Sequence, residues 1–313
     1  MEKHDIIYIS GHHGLVGSAI LRQLENRGFD KLITKKRSEL DLTYQDQVRK
    51  FFDEYRPDYV FLASGKTGGV YANDTYRAEF LYENLSIQAN VIHQAYLHEV
   101  KKLIFYGCSS MYPKFASQPM KEEHLLSGYP EPTNEPFAVA KIAGLKMCES
   151  YNRQYGTDFI SVIPTNIYGP NQNYASMNSM VVPALIRKFH EATQANTKEV
   201  IIWGTGRPAR DFLFSDDLAD ASIFLMEQSL EDDVFNIASG CDYTISDLAE
   251  IIKKVVGFEG EVVFDVSKPE GVLVKLQDIN KISELGWKCS VDLQDGIKRT
   301  YENLLSNGSI SFL

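Results

Sequence analysis

The sequence has few cysteines and no clustered metal ligands. Its four cysteines, Cys108, Cys148, Cys241 and Cys289, are widely spaced among 313 residues, without a Cys-x-x-Cys pair or a histidine cluster. Disulfide frameworks and structural zinc sites both require cysteines at closer, patterned spacing. We therefore expect free thiols and no bound metal.

Positive charge and long apolar runs are also scarce. The formal net charge of -10 argues against a nucleic-acid-binding protein with a broad basic face, although a local basic pocket for a phosphorylated ligand is compatible with it. No apolar run reaches the roughly 18 residues of a membrane span, and the start, MEKHDIIYIS, has no basic segment followed by an apolar one. We expect a cytoplasmic protein that binds small molecules and neither nucleic acid nor membrane.

Short β-branched runs alternate with segments of helical apolar spacing through the first half of the chain. The strand-like runs are DIIYIS, KLIT, PDYVFLAS, KKLIFYGCSS and DFISVIPTNIYG, and the helix-like segments between them include QDQVRKFFDEY and PFAVAKIAGLKMCESYNRQYG. This alternation predicts an α/β fold with a doubly wound parallel sheet. We assign residues 1–168 to this domain and residues 169–313, where loops lengthen, mainly to a smaller α/β substrate lobe. The part near 214–240 is expected to return to the first domain.

The turn after the first predicted strand carries Gly11, Gly14 and Gly17. Glycines at this spacing allow a tight turn, close approach of a pyrophosphate and packing of the next helix, whose N-terminus attracts the anion. We interpret the turn as a dinucleotide site; an ordinary strand-to-helix turn is the alternative. We expect the cofactor to contact the other residues of the turn as well: His13, Leu15 and Val16.

A basic cluster follows the second predicted strand and indicates which dinucleotide binds. An acidic residue there would hold the ribose 2′-hydroxyl of NAD, whereas this sequence has Lys35, Lys36 and Arg37. Cations suit a 2′-phosphate, and the planar guanidinium of Arg37 makes it the leading contact. We predict NADPH as the cofactor, with a solvated basic turn as the alternative.

Over nearly its whole length the sequence resembles the extended short-chain dehydrogenases/reductases, and more narrowly the GDP-L-fucose synthase family of NADPH-dependent epimerase/reductases. The segments that carry the resemblance include GLVGSAILRQLENRG, KTGGVYANDTYRAEFLYEN, EPTNEPFAVAKIAG, PTNIYGP and IIWGTGRPARDFLFSDDLA. The resemblance implies a Rossmann domain, a GDP-sugar lobe and a homodimer paired through two helices of each subunit. It also implies that Lys141 holds the nicotinamide ribose and that Pro164 contacts the cofactor.

Four positions depart from the residues that the resemblance implies for catalysis. Cys108 stands in place of the active-site serine, and Phe137 stands in place of the tyrosine of Tyr-x-x-x-Lys, whose lysine is Lys141. The cysteine and histidine that exchange protons during epimerisation correspond to Ser110 and Met180. Because a methionine cannot transfer a proton and a serine is a poor base, we predict no epimerase activity. Replacement of these groups by His124 or Lys114 is the alternative.

Reduction of a ketone needs less from the protein, since the cofactor supplies the hydride and the protein must orient the ketone and protonate the alkoxide. Loss of a positioned acid costs typically about 10²–10⁴-fold in rate. Cys108 is a candidate replacement because a thiol is a stronger acid than a phenol, although it is a weak hydrogen-bond donor. Ser109 and Ser110 are the competing donors. An apolar filling role for Cys108 remains open.

The resemblance also implies a set of GDP-sugar contacts, with cations at the diphosphate and an aromatic ring near the guanine or sugar. These contacts are Asn166, Lys188, Trp203 and Arg210. We expect Asp216 and Asp217 to cap the following helix.

These residues predict an NADPH-dependent reductase acting on the 4-keto group of a GDP-4-keto-6-deoxy sugar, hexose or heptose, without 3,5-epimerase activity. Synthesis of surface glycan or capsule precursors is the setting that the resemblance implies. Two alternatives stay open: a catalytically impaired protein that binds NADP or a GDP-sugar, and a bifunctional epimerase/reductase in which phenylalanine was introduced at position 137.

Overall fold

The computed structural model describes residues 1–174, 179–268 and 272–306. Six strands and five helices make up the chain as far as Tyr168. The strands are β1 (Ile7–Ser10), β2 (Leu32–Ile33), β3 (Tyr59–Leu62), β4 (Lys102–Tyr106), β5 (Phe159–Pro164) and β6 (Asn166–Tyr168). The helices are α1 (Leu15–Asn26), α2 (Gln45–Tyr55), α3 (Val70–Thr75), α4 (Arg77–Leu97) and α5 (Glu135–Tyr155).

The remaining elements are shorter and more widely separated. The helices are α6 (Val181–Gln194), α7 (Ser215–Glu227), α8 (Ile245–Val256), α9 (Asn280–Glu284) and α10 (Leu293–Ser306). The strands are β7 (Glu199–Trp203), β8 (Ala209–Phe214), β9 (Val234–Ile237), β10 (Asp242–Thr244), β11 (Glu261–Asp265) and β12 (Val274–Lys275). No helix in the described ranges combines the length and apolarity needed to cross a membrane.

The central sheet has six parallel strands in the order β2-β1-β3-β4-β5-β9. This order, with helices between successive strands, confirms the predicted doubly wound α/β fold. Strand β9 pairs with β5 in this sheet, although the elements from β6 to α7 separate the two strands in the sequence. Two smaller sheets lie outside it: β8 pairs with β6, β10 and β12, and β7 pairs with β11.

Both faces of the central sheet are buried, and alternate strand residues contribute to separate apolar clusters. In β4, Leu103 and Phe105 pack with α2, α4 and α5, whereas Ile104 packs with α1 and α7. Strands β1 and β3 divide in the same way, as the twofold alternation of strand side chains requires. A third cluster holds α6, α8 and α10 against β7 and β8. The parallel strands therefore end together at one edge, where β1, β4 and β5 deliver the loops of the candidate site.

The predicted strand DFISVIPTNIYG was wrong in one respect, because it forms two strands on different sheets. Pro164 ends the pairing of β5 with β9 opposite Ile237, and a proline has no N–H with which to extend a ladder. The Thr165 N–H then donates to Ile237 at 3.0 Å, and its hydroxyl donates to the Asp211 carbonyl at 3.2 Å. The chain thereby turns into β6, beside β8.

The predicted capping role of Asp216 and Asp217 was also wrong. Helix α7 has Phe214 at its N-cap and no capping side chain. Asp216 instead pairs with Arg22 of α1. Asp217 accepts hydrogen bonds from the amide and hydroxyl of Ser290 and from the Val291 amide. Both carboxylates are structural, but they join separate parts of the chain.

A buried amide in β9 connects the central sheet to the segments that surround the site. The Asn236 side chain donates to the carbonyls of Met120 and Asp278 and accepts from the Tyr112 hydroxyl at 2.6 Å and the Gln277 amide at 2.8 Å. Its burial makes each unmade hydrogen bond unfavourable. The side chain therefore fixes residues 118–122 and 274–278 at the edge of the sheet.

We predict that Asn236→Ala lowers the free energy of unfolding by at least about 2 kcal/mol, because several buried partners lose their hydrogen bonds together. Urea unfolding monitored by circular dichroism measures the loss. Asn280→Ala, at an exposed position nearby, is the control and should change stability by less than about 0.5 kcal/mol. Equal effects of the two substitutions would contradict the structural role of Asn236.

Candidate active site

The glycine turn between β1 and α1 is closely packed. Gly11 has a φ of +72°, and its carbonyl accepts from the Gly14 amide at 2.9 Å. A Cβ on Gly17 would overlap the Gly11 carbonyl, so this position requires glycine. Helix α1 begins at Leu15, followed by Val16, and no side chain caps its N-terminus. Its first amides are therefore available to an anion such as a pyrophosphate.

Two histidines occupy the same turn. The ring centroids of His12 and His13 lie 4.0 Å apart. The buried Nδ1 atom of His12 has no hydrogen-bond partner among the described residues. Burial lowers the pKa of His12, and the neighbouring His13 and Lys36 lower it further. A polar ligand in this turn would supply the missing partner.

The three cations after β2 have different surroundings. The Lys35 ammonium donates to the Tyr55 hydroxyl at 2.8 Å. The Arg37 guanidinium is shared by Asp41 and Glu83, each at 3.2 Å. Lys36 is exposed, and its charge acts on His12 in the glycine turn. Lys36 is thus better positioned for a 2′-phosphate than Arg37, which would have to exchange its carboxylates for the phosphate.

Helix α5 carries Phe137 and Lys141 one turn apart. The Lys141 ammonium is buried and donates to the Tyr106 carbonyl, at the end of β4, at 2.8 Å. It lies 4.8 Å from the ring centroid of Phe105 and 5.9 Å from that of Phe137. Burial lowers the pKa of Lys141 to about 8. The sequence spacing therefore brings the lysine to the sheet edge, with a phenyl ring beside it where the resemblance implies a phenol.

The loop after β4 carries Cys108, Ser109 and Ser110, and all three are partly buried. The Cys108 amide donates to the Met111 sulfur at 3.3 Å, and the Cys108 side chain packs against the apolar cluster on this face of the sheet. Burial raises the pKa of the Cys108 thiol, although the charge of Lys141 opposes the shift. Apolar packing and proton donation thus compete at this residue.

The pairing of β6 and β12 with β8 assembles a second group of polar side chains. Asn166 donates to the Asp211 carbonyl at 2.9 Å, next to Arg210. Lys275 of β12 is opposite Arg210 in the register. Burial lowers the pKa of Lys275, and Cys108 is the first of the charged neighbours that modify it. The pairing therefore connects the predicted sugar contacts to Cys108.

Lys275 was missed by the sequence reasoning. Its strand has two residues, which is too short to show a period. The signal that was available is the lysine itself, close behind VVFDVSKPEG, a further segment that matches the family pattern. Residues 269–271 of that segment lie outside the described residues.

The other two predicted sugar contacts lie at the junction of α6 and β7. Lys188 of α6 donates to the Ile201 carbonyl at 2.5 Å, and burial lowers its pKa. Trp203, at the end of β7, is 62% exposed, which leaves its ring available to a ligand. Met180 occupies the N-cap of α6 and is exposed. Residues 175–178 lie outside the described residues.

The glycine turn is therefore a candidate dinucleotide site, and the cations of the smaller sheets are a candidate site for an anionic ligand. Cys108 lies near both Lys141 and Lys275. The candidate contact Pro164 ends β5 at the same edge. Within residues 1–174, 179–268 and 272–306, no group of three His, Cys, Asp or Glu side chains could hold a metal ion.

Comparison with known proteins gives matches over almost the whole chain. The model of the NAD dependent epimerase/dehydratase family matches residues 7–238. The putative GDP-L-fucose synthase 2 of Arabidopsis thaliana is 52% identical over 307 residues, covering 98% of this chain and 94% of that protein. The GDP-L-fucose synthase of Escherichia coli K12 is 51% identical over 310 residues, covering 96% and 97%.

A solved structure is similarly close. MlghC, a GDP-mannoheptose C4 reductase from Campylobacter jejuni with NADP bound, has a TM-score of 0.90 and 45% identity. The match covers 97% of this chain and 99% of that one.

We predict that Lys36→Ala weakens NADPH binding by about 10-fold, since it removes a charged contact to the 2′-phosphate, and that NADH binding is almost unchanged. Arg37→Ala should have a smaller effect because carboxylates already hold that side chain. Fluorescence titration measures both affinities. Lys35→Ala, whose ammonium faces Tyr55, is the control. A larger effect of Arg37→Ala than of Lys36→Ala would contradict this assignment.

Proposed function

Because this chain belongs to the NAD dependent epimerase/dehydratase family, we propose that it uses NADPH to reduce the 4-keto group of a GDP-4-keto-6-deoxy sugar. The resemblance found in the sequence is confirmed by the identity to GDP-L-fucose synthases. The prediction of an NADP cofactor is confirmed by the C4 reductase that carries it. The chain is therefore an oxidoreductase of GDP-sugars, and the carbonyl that it reduces is the subject of the proposal.

The residues present fit the cofactor. The uncapped first amides of α1 are available to a pyrophosphate, the unpartnered His12 nitrogen can bond to a polar ligand, and Lys36 provides a cation for the 2′-phosphate. When bound, NADPH supplies the hydride. The protein then has to orient the ketone and deliver one proton to the oxygen.

The observation that carries the proposal is the buried Lys141 ammonium, which donates to the Tyr106 carbonyl at the carboxyl end of β4. A protein that only binds NADP could also use Lys141, since the resemblance implies that this lysine holds the nicotinamide ribose, but burying its ammonium without a carboxylate partner is unfavourable. A reductase benefits from such a charge because it stabilises the developing alkoxide. We therefore favour the reductase over a binding protein, the alternative that the phenyl ring of Phe137 supports.

Epimerisation is not part of the proposed activity. It requires a base and an acid within hydrogen-bond reach of the carbons beside the ketone, and Ser110 and Met180 do not supply them. The alternative groups are engaged elsewhere. Lys114 pairs with Glu131 at 3.0 Å, and the His124 imidazole accepts a hydrogen bond from the Lys121 amide in its own turn.

The substrate lobe in this proposal is residues 169–313 apart from the part near 214–240. Lys188, Arg210 and Asn166 hold the GDP-sugar, with Trp203 against its guanine or sugar ring. The cations suit the diphosphate. The sugar is a hexose or a heptose, and the cytoplasmic synthesis of surface glycan or capsule precursors is the proposed setting.

The proposed enzyme is a homodimer paired through α4 and α5. These two helices pack on each other and expose apolar side chains, including Tyr82 and Leu97 on α4 and Val139 on α5. An exposed face of this kind favours association with a second copy.

We predict that the purified protein oxidises NADPH when mixed with a GDP-4-keto-6-deoxy sugar in deuterated water, and that the product carries no deuterium beside the former ketone. Hydride transfer does not involve solvent protons on carbon, whereas epimerisation exchanges them. Absorbance at 340 nm reports NADPH consumption, and mass spectrometry reports deuterium. The assay is run with substrates that have and have not been epimerised beforehand.

The matched control is the double variant Ser110→Cys and Met180→His, which supplies the two groups implied for epimerisation and should take up deuterium. Deuterium beside the ketone in the product of the unaltered protein would contradict the reductase-only assignment. NADPH binding without consumption of any of these substrates would instead favour the binding protein.

We predict that the protein elutes as a dimer in size-exclusion chromatography with light scattering. Ala143→Glu, on the exposed side of α5, should shift it to the monomer because the substitution buries a charge in the proposed interface. Tyr44→Glu is the control, since Tyr44 is exposed just before α2. A monomeric parent protein, or a dimer unaffected by Ala143→Glu, would contradict the pairing.

A further inference from the structure

The proposed reduction leaves one step without an assigned group, since position 137 has no hydroxyl to protonate the alkoxide. The loop after β4 offers Cys108, Ser109 and Ser110, and helix α5 offers Lys141. These candidates differ in acid strength and in the groups that already engage them.

The Lys141 ammonium is held in one place but keeps spare donors. Its Nζ atom donates to the Tyr106 carbonyl at 2.8 Å, and the rings of Phe105 and Phe137 lie on either side at 4.8 and 5.9 Å from it. A methyl group at Gly65 would lie 2.8 Å from the Asn84 Oδ1 atom and 3.5 Å from Nζ, so the segment after β3 passes close to the ammonium. In the described part of the chain, Tyr106 is the one hydrogen-bond acceptor of Lys141. Two of its three N–H bonds are thus available to a ligand.

Burial shifts the pKa values of Lys141 and Cys108 in opposite directions. Burial favours the neutral amine and lowers the pKa of Lys141 to about 8, against a weaker opposing effect of Cys108. Burial favours the neutral thiol and raises the pKa of Cys108. Near neutral pH the ammonium is therefore the better proton donor, and an acid is most effective when its pKa lies near the working pH.

We propose, on the basis of the reductase function above, that the Lys141 ammonium is the proton source for the alkoxide. The hydride of NADPH bonds to the carbonyl carbon, the π electrons of the C=O bond move to oxygen, and NADP⁺ forms. The oxygen then takes a proton from Nζ, directly or through one water in the space beside the Phe137 ring. Lys141 is left as a neutral amine and regains its proton from solvent.

Few titratable groups face Lys141 from the elements that pack against α5. The loop after β4 brings Cys108, whereas the Tyr106 phenol packs with α1 and α7 on the other face of the sheet. Helix α4 brings the uncharged Gln88, which donates to the Ala140 carbonyl. Lys66, on the segment after β3, is bound by Glu79 and Glu83. Lys275 of β12 acts on Cys108. Among the described residues, Lys141, Cys108 and Lys275, whose pKa burial also lowers, are therefore the groups that can account for a titration near pH 8 in hydride transfer, and the Lys141 variant distinguishes them.

The test is single-turnover oxidation of bound NADPH by a GDP-4-keto-6-deoxy sugar from pH 6 to 10. The protonated form of Lys141 is the active one, so the rate should be highest below the pKa of Lys141 and fall as the pH rises through about 8. Cys108→Ala should keep this fall in rate within about one pH unit of its position. If Cys108 is the donor, the same substitution removes it.

Lys141→Arg separates proton donation from a purely electrostatic role. Arginine keeps the positive charge but does not deprotonate in this range, so the rate should drop by about 10²-fold or more and lose its fall near pH 8. Lys141→Ala serves as a second variant where arginine is too large, and its rate should recover in part when ethylamine is added. NADPH affinity is measured for each variant by fluorescence titration, which identifies a loss of cofactor binding.

Each outcome bears on the inference. A fall near pH 8 that survives Cys108→Ala and disappears in Lys141→Arg supports it. Full activity in Lys141→Arg, or a fall in rate that depends on Cys108, overturns it and leaves the reductase function intact. An unaltered protein that never oxidises NADPH overturns both.

Discussion

The hydrogen bond from the Lys141 ammonium to the Tyr106 carbonyl fixes the end of β4 to helix α5, and the candidate site depends on it. An ammonium buried without a carboxylate is unfavourable. Here one carbonyl at 2.8 Å and the faces of two aromatic rings offset part of that penalty. The part of the penalty that is not offset lowers the pKa of Lys141 to about 8. The burial that makes the ammonium unfavourable therefore also makes it a more effective acid.

The charge around the candidate site is positive, although the net charge of the chain is negative. The chain has a net charge of -10, yet Lys141, Lys275 and Arg210 lie around the place where the central sheet meets β8 and β12. Such a local group of cations attracts an anionic diphosphate ligand in spite of the overall charge. The Asn236 hydrogen bonds hold the segment that carries Lys275 against the central sheet. The segment that carries Lys275 and the central sheet are therefore parts of one connected structure.

Much of the fold could be predicted from the sequence because, in the first half of the chain, the local sequence pattern agrees with the secondary structure that forms. Apolar spacing over QDQVRKFFDEY gives α2 at the predicted residues, and Gly11, Gly14 and Gly17 form the expected turn. The later elements depend on pairing between distant segments. Strand β12 has two residues and is defined by its register with β8, and Pro164 and Thr165 redirect one predicted strand into two sheets. Local propensity carries no information about such partners.

The candidate site divides in the same way. The sequence alone shows that position 137 lacks a hydroxyl and that cations follow β2. It could not give the pairing of Arg37 with Asp41 and Glu83, since this depends on a helix some 46 residues further along the chain. It also could not give the opposite pKa shifts of Lys141 and Cys108, since burial is the largest cause of both. Chemistry that depends on the environment of a side chain needs the fold.

The most direct test of the central claim is isotope transfer from NADPH deuterated at carbon 4 of its nicotinamide to a GDP-4-keto-6-deoxy sugar. Mass spectrometry and NMR of the product locate the label. The account predicts one deuterium on carbon 4 of the sugar and none on its neighbours. Unlabelled sugar recovered with the ketone intact would contradict it.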